Sequence, residues 1–455
     1  MFFSFNKNGK KICATLLVIV LVSAILYVSF QSIRSTHGQA NASSISSPPS
    51  PPTAAIQQNN NLKSSNSSIF LTTTNTSAIS TTSTTTGKLR TYYIAADEVP
   101  WDYAPFGKNL ITGKPFDKTA NVYVQNSSDR IGKTYLKAIY REYTDGNFTH
   151  LKTIPPQWQH LGILGPVIHA EVGDTIKVVF KNNAHYPFSI HPHGVLYSKS
   201  FEGAVYNDGS HFNNSSNNNP SNNQSPNENS NANVYATTTA ANVDGGAVPP
   251  GKIYTYLWQV PERAGPGPND PSSILWSYHS HVDEVADTNA GLVGPIIITR
   301  HGQANPDGTP KGVDREFVTL FTIFNENKSP YLDQNIKKYI GNSTAVNTQD
   351  DEFTESNLKH SINGFVYGNL QGLNMKQGEH TRWYVMGMGT ETDLHTPHWH
   401  GQTLLMDGMR TDMVELLPMS MKTLDMVPDD KGTWMFHCHV NDHIEAGMLA
   451  LFTVS

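Results

Sequence analysis

Cysteine is nearly absent: two in 455 residues, Cys13 inside an apolar run and Cys438 between two histidines. That excludes a disulfide framework as the source of stability. Charge is also scarce, at 15% of residues with a net of −6, so there is no basic footprint for nucleic acid. Long amphipathic helical patterns are missing as well, which argues against a helical fold. What remains is a chain rich in glycine (34) and proline (27), long enough for two or three domains.

Residues 12–30, ICATLLVIVLVSAILYVSF, form an apolar run long enough to span a bilayer, preceded by Lys7, Lys10 and Lys11. We expect residues 1–30 to act as a signal-anchor, or as a signal peptide if cleaved. Either way the bulk of the chain is exported, anchored to the outer face of the cell membrane or secreted. A buried core helix is the bland alternative, and the basic flank counts against it. Residues 31–88 are rich in Ser, Thr, Asn, Gln and Pro and read as a stalk. Asn41, Asn66 and Asn75 lie there in N-x-S/T sequons.

From residue 89 short β-branched and aromatic runs appear (TYYIAADEV, TIKVVF, KIYTYLWQV, GPIIIT), and after residue 312 they return as FVTLFTIF, TRWYVMGM, GTWMFHCHV and LALFTVS. Bounded by Gly, Pro and Asn, they predict an all-β fold of Greek-key sandwiches, residues 89–303 and 312–455. An Asn/Ser-rich insertion, 209–246, interrupts the first. The two regions repeat each other. WSYHSHVDEV (276–285) matches WMFHCHVNDH (434–443), and HPHG (191–194) matches HWHG (398–401). Ser280 stands where Cys438 stands, Val285 where His443 stands, and Phe188 where His395 stands.

Most of the chemistry lies in four histidine clusters: His191-Pro-His193, His279-Ser-His281, His395-Thr-Pro-His398-Trp-His400, and His437-Cys438-His439 followed by His443 and Met448. Residues i and i+2 of a strand face one side, so each H-x-H pair aims two imidazoles at one region. A lone H-x-H pair is usually a satisfied surface pair; two in each of two repeats are not. His395, Cys438, His443 and Met448 make the two-His, one-Cys, weak-Met set of a blue (type 1) copper site. The first module, with Ser280, should lack one. Four histidines per module then remain, and eight imidazoles suit three copper ions.

These clusters resemble the signature motifs of multicopper oxidases over residues 89–455, with every ligand position filled. The resemblance implies two cupredoxin-like domains and four coppers per functional unit. His191 and His398 would hold the type 2 copper; His193, His279, His281, His400, His437 and His439 would hold the type 3 pair. DLHTPHWHG, FHCHVNDHIEAGM, ESNLKHSINGFVYGNLQGLNM and YYIAADEVPWDYAP are similar to ceruloplasmin and hephaestin ferroxidases. Having two domains, the chain also resembles the two-domain oxidases, which assemble as homotrimers. The ferroxidase motif carries over as an Fe(II) site of Glu355, His360 and Asp442, with Glu391 donated by a neighbouring domain. Carboxylates favour the harder Fe(III) and so favour electron loss; singly, such acids are more often solvated surface charges. The function implied is oxidation of Fe(II) with reduction of O2 to water. A laccase-like phenol or Cu(I) oxidase is the alternative, with Met406, Met409, Met413, Met419 and Met421 as soft donors. A copper nitrite reductase or a non-catalytic copper-binding surface protein is less favoured, because neither needs eight cluster histidines.

Overall fold

The computed structural model describes residues 87–207, 244–341 and 346–455. The N-terminal segment, nearly all of the stalk and most of the insertion lie outside the described residues. Among the described residues no helix is long and apolar enough to cross a membrane.

Alternation makes the outer strands. β1 (Leu89–Asp102), β2 (Thr134–Glu142), β3 (Ile168–Glu171), β4 (Thr175–Asn182), β5 (His191–Pro192), β6 (Ile253–Gln259), β7 (Ser273–His279) and β8 (Val293–Thr299) build the first module. In β4 every second residue (Ile176, Val178, Phe180) is buried, the period of a strand with one face on a core. The sheet orders are β2-β1-β4-β6 and β3-β8-β7-β5.

The second module comprises β9 (Arg315–Asn325), β10 (Leu358–Ile362), β11 (Asn374–Met375), β12 (Thr381–Gly387), β13 (Pro397–Trp399), β14 (Leu404–Met406), β15 (Met409–Thr411), β16 (Met421–Met426), β17 (Gly432–Cys438) and β18 (Leu449–Val454). Its sheets run β10-β9-β12-β16-β14-β15 and β11-β18-β17-β13. The described protein is therefore mostly β. Its helices are short: α1 (Lys118–Val124), α2 (Glu284–Ala290), α3 (Leu332–Tyr339), α4 (Asp351–Ser356) and α5 (Asn441–Glu445).

The sequence repeat is also a repeat of pairing. β1 runs parallel to β4 as β9 does to β12. β5 pairs antiparallel with β7 in the register His191↔His279, and β13 with β17 in the register His398↔His437. The glycine closing each H-x-H-G motif has a packing reason. Gly194 and Gly401 have φ of +75° and +69°, and a Cβ there would lie 2.3 Å from Trp276 and 2.7 Å from Trp434.

β8 and β12 are buried along their whole length, because they face their own sandwich on one side and the other module on the other. Leu275, Val293 and Ile297 of the first module pack with Val318, Leu320 and Met386 of the second in one apolar layer. Each such buried side chain contributes roughly 2 kcal/mol. The layer also holds a fully buried ion pair, Lys137 of β2 with Glu326 of the second module, and Tyr103 Oη donates to the same carboxylate at 2.5 Å. Removing one partner of such a pair costs about 3–5 kcal/mol, since the other charge stays buried.

Candidate metal centres

Strand β17 ends on Cys438, fully buried, where the chain turns into α5. That turn carries His443 back beside the thiol, while His395 arrives from the loop before β13. Cys438 Sγ lies 3.5 Å from His443 Nδ1 and 3.9 Å from His395 Nδ1, and the two imidazole nitrogens are 3.2 Å apart. The three donor atoms lie within 4.8 Å of one another. Met448 is fully buried in the same core, and its carbonyl accepts from the Cys438 N–H at 3.1 Å.

Electrostatics prepares these donors. Burial pushes the Cys438 thiol up, but His395, His443 and the N–H groups of Thr396 and Val440 outweigh it and bring the pKa to about 6. A thiolate is the ligand form. Asp393, buried, faces His395 Nε2 at 3.3 Å and accepts from Ile323 N at 2.7 Å and Thr390 N at 2.8 Å. It fixes which imidazole nitrogen turns to the thiol, as carboxylates behind metal-binding histidines do. A thiolate, two imidazoles and a thioether in a closed apolar pocket fit copper.

The first module has filled the same place differently. Ser280 N donates to Leu292 O at 3.2 Å as Cys438 N does to Met448 O, so Leu292 stands where Met448 stands. Helix α2 has seven residues where α5 has five. The extra length leaves Val285 57% exposed and brings Asp287 inward to accept from Ser280 Oγ at 2.6 Å. Asp287 also accepts from the N–H groups of Val282 and Asp283, both at 3.1 Å. Burial raises its carboxyl to about 6 even so. With Phe188 buried at the remaining position, this pocket offers no metal-binding set.

The eight other histidines form two quartets. In the first, His193 Nε2 and His279 Nε2 are 3.0 Å apart, and the His191 ring lies 5.2 Å from that of His281 and 5.5 Å from that of His279. In the second, His437 Nε2 lies 3.0 Å from His400 Nε2 and 3.3 Å from His398 Nδ1, and the His439 ring lies 5.5 Å from that of His398. The same backbone device orients both sets. His279 Nδ1 meets Ser280 O at 3.0 Å and His437 Nδ1 meets Cys438 O at 2.6 Å, so each Nε2 faces its quartet. Burial, then neighbouring imidazoles, lowers His193 to about 4. His279 and His437 also fall to about 4, with burial again the main cause. Neutral rings with free nitrogens are what copper takes.

Among the described residues no hydrogen bond or ring contact joins one quartet to the other. Across a cavity of about 380 Å³, the second-module neighbours of His193 include Met406, Met419, Met421 and Lys422, not the second quartet. His439 is exposed, and His191, His193, His281, His398 and His400 are part-exposed.

Of the four expected iron ligands, His360 lies against His443, while Glu355 and Asp442 are linked to it through Tyr123. Among the described residues the three do not bring their donor atoms together as the Cys438 set does. The ring of His360, on β10, lies 5.1 Å from that of His443. His360 Nδ1 donates to Leu358 O at 3.3 Å, leaving Nε2 free, and burial and His443 lower its pKa to about 4. Glu355 lies in the last turn of α4 and Asp442 in the first turn of α5, both exposed. Tyr123 of the first module sits among them: its hydroxyl donates to Glu355 Oε1 at 2.6 Å, its ring lies 5.8 Å from that of His360, and burial, Glu355, Asp442 and Glu445 all raise its pKa. Glu391 is not brought to this group. It is exposed and makes no side-chain hydrogen bond or ion pair among the described residues.

Residue patterns alone missed Tyr123, Asp393, Asp287 and Leu292. For Asp393 the D-x-H spacing was a usable signal, and for Leu292 the AGL/AGM correspondence (290–292 with 446–448). Tyr123 lies 232 residues from Glu355 and had none.

Residues 161–238 and 340–455 each match a family model described as multicopper oxidase. The chain is 42% identical over 368 residues to "Ferroxidase HEPHL1" of Homo sapiens, covering 80% of this chain and 29% of that protein. It is 41% identical over 372 residues to human "Hephaestin" (80% and 28%). To human "Ceruloplasmin" it is 40% identical over 371 residues (80% and 30%). The chain thus spans less than a third of the length of these relatives.

Proposed function

The chain belongs to the multicopper oxidase family, and from that premise we propose that it oxidises Fe(II) and reduces O2 to water. The observation that carries the reading is the convergence of His395, Cys438 and His443 donor atoms within 4.8 Å, with Cys438 peptide-bonded on both sides to histidines of the second quartet. Bound copper would accept single electrons at the Cys438 set and supply the four-electron reduction of O2 at the histidine cluster. The protein holds the Cys438 thiolate between two imidazoles, keeps water from it by burial, and offers a covalent exit through one peptide link on each side to His437 and His439. On the substrate side, His360 would present Nε2, and Glu355 and Asp442 their carboxylates, to Fe(II) next to the His443 ring. Oxygen donors and imidazole stabilise Fe(III) over Fe(II) and so favour electron loss.

Two open quartets in one chain support a homotrimer in which the first quartet of one chain meets the second of the next, a heterologous contact that closes a ring. Exposed apolar side chains lie next to each quartet: Val205, which follows Ala204 in its bridge to His281, and Met413, which bridges His398. The same closure would supply Glu391 to a neighbour's iron site. The sequence also supports export, with the N-terminal segment as anchor or signal.

The test is O2 uptake with Fe(II), Cu(I) and a bulky phenol side by side, in wild type and in Glu355→Ala and Asp442→Ala. Coordinated Fe(II) predicts at least roughly tenfold loss with Fe(II), since even an outer-shell partner of a metal site is worth about 10–100-fold in affinity, with little change for the phenol and little dependence on salt. Equal losses for both substrates would favour the laccase-like reading. The Met406, Met419 and Met421 cavity favours Cu(I) as the second reading, which predicts a Cu(I) rate that falls when those thioethers are removed.

A further inference from the structure

Within the Fe(II) reading above, we propose that Tyr123 is a positioning residue for the iron substrate: the first module supplies the hydroxyl that holds Glu355 of the second in place beside His360. Glu355 is an exposed glutamate at the end of a six-residue helix. Left alone, such a side chain samples several rotamers, and ordering it on binding an ion weakens binding. Here Oε1 accepts from Tyr123 Oη at 2.6 Å, and no other hydrogen bond to the carboxylate is described. Oε2 is left for a cation.

The hydroxyl is itself well anchored. Helix α1 is capped by Asp117, whose carboxylate accepts from Ala120 N at 2.9 Å, and it buries Ala120 and Val124. Tyr123 O accepts from the Lys359 ammonium, which is fully buried and immediately precedes His360. The ring stands edge-on to His360, interplanar angle 75°. One tyrosine thus touches two of the proposed iron ligands from the opposite module. Glu355 also lines an open cavity of about 790 Å³ with Asp117, Asn121, Arg130 and Glu352, so an aqueous ion can reach the carboxylate from that side.

The experiment uses copper-loaded protein: Tyr123→Phe, Glu355→Ala and the double variant. Steady-state Fe(II) and phenol oxidation are measured, with the inhibition constant of Co(II), a divalent cation far harder to oxidise than Fe(II). Tyr123→Phe keeps the ring against His360 and removes only the donor. We expect the Fe(II) KM and the Co(II) inhibition constant to rise together by roughly two- to tenfold, the fold-change of one ordinary net hydrogen bond. The Fe(II) kcat, phenol kinetics and blue absorbance should be unchanged, and the double variant should match Glu355→Ala. An unchanged Fe(II) KM in Tyr123→Phe, with Glu355→Ala impaired, overturns this inference alone. Fe(II) oxidation unaffected by Glu355→Ala overturns the iron-site reading and this inference with it.

Discussion

At the end of β17 the second module surrounds a buried thiol with His395, His443 and Met448. At the end of β7 the first module surrounds a buried hydroxyl with Phe188, Leu292 and the Asp287 carboxylate. The pairing of β5 with β7 and of β13 with β17, the register of the H-x-H pairs and the glycine–tryptophan contacts correspond in both. What a common scaffold holds is therefore decided by a few side chains and by two helix residues. The pocket without a metal-binding set is satisfied internally: a serine, an aspartate and backbone N–H groups bond to one another there, as buried polar groups must.

The largest test of this contrast is Cys438→Ser, which makes the second module like the first at its central position. It should abolish intense blue absorbance and oxidation of every substrate, while copper held by the quartets is largely retained in metal analysis. A blue band surviving in the purified variant would show that the thiolate is supplied elsewhere.

The converse change, Ser280→Cys, should create no blue band, because Phe188, Val285 and Leu292 donate nothing to a metal. It should also lower stability by about 1–2 kcal/mol in denaturant melts, since a thiol is a poor donor to the buried Asp287. Unchanged stability would show that the Ser280–Asp287 bond contributes little.

This contrast was only partly visible in the sequence. Ser280 for Cys438 and Phe188 for His395 could be read directly from the aligned motifs. Leu292 for Met448 needed a gap of two residues, inserted within 284–290, before AGL (290–292) falls on AGM (446–448). Val285 aligns with His443, yet it turns to solvent and Asp287 takes the inward place. The all-β character was legible because alternation in runs such as TIKVVF is local. The buried Lys137–Glu326 pair and the Tyr123–Glu355 contact were not, since each joins residues of different modules with no motif at either end.

Acid should act on the seam between the modules. His160, buried between them, accepts from Val318 N–H at 3.0 Å, and burial lowers its pKa from 6.5 to about 3. Between those values the unfolded chain binds a proton that the folded chain does not. The stability this histidine contributes is therefore complete above about pH 6.5 and is lost as pH falls towards 3. In His160→Gln the decline of melting temperature over that window should be shallower than in wild type; parallel declines would place the acid sensitivity elsewhere.

The smallest expected effect is Met448→Leu, which copies Leu292 into the copper-competent pocket. With the thiolate and both imidazoles kept, the blue band should persist. Losing the weak axial donor should shift the reduction potential upward, and redox titration measures it. Loss of colour would mean that Met448 is needed to hold the metal.

The quartets are the same in both modules, and the central claim is that each is half a cluster completed by a neighbouring chain. Complementation tests it directly. One variant carries His279→Ala and His281→Ala, the other His437→Ala and His439→Ala. Each should be inactive alone. Co-expressed at equal amounts, they should recover about a quarter of wild-type O2 consumption, the share of interfaces pairing an intact first quartet with an intact second if chains mix at random. Activity that stays at zero in mixed assemblies of confirmed composition would mean that each chain closes its own cluster, and would contradict the account.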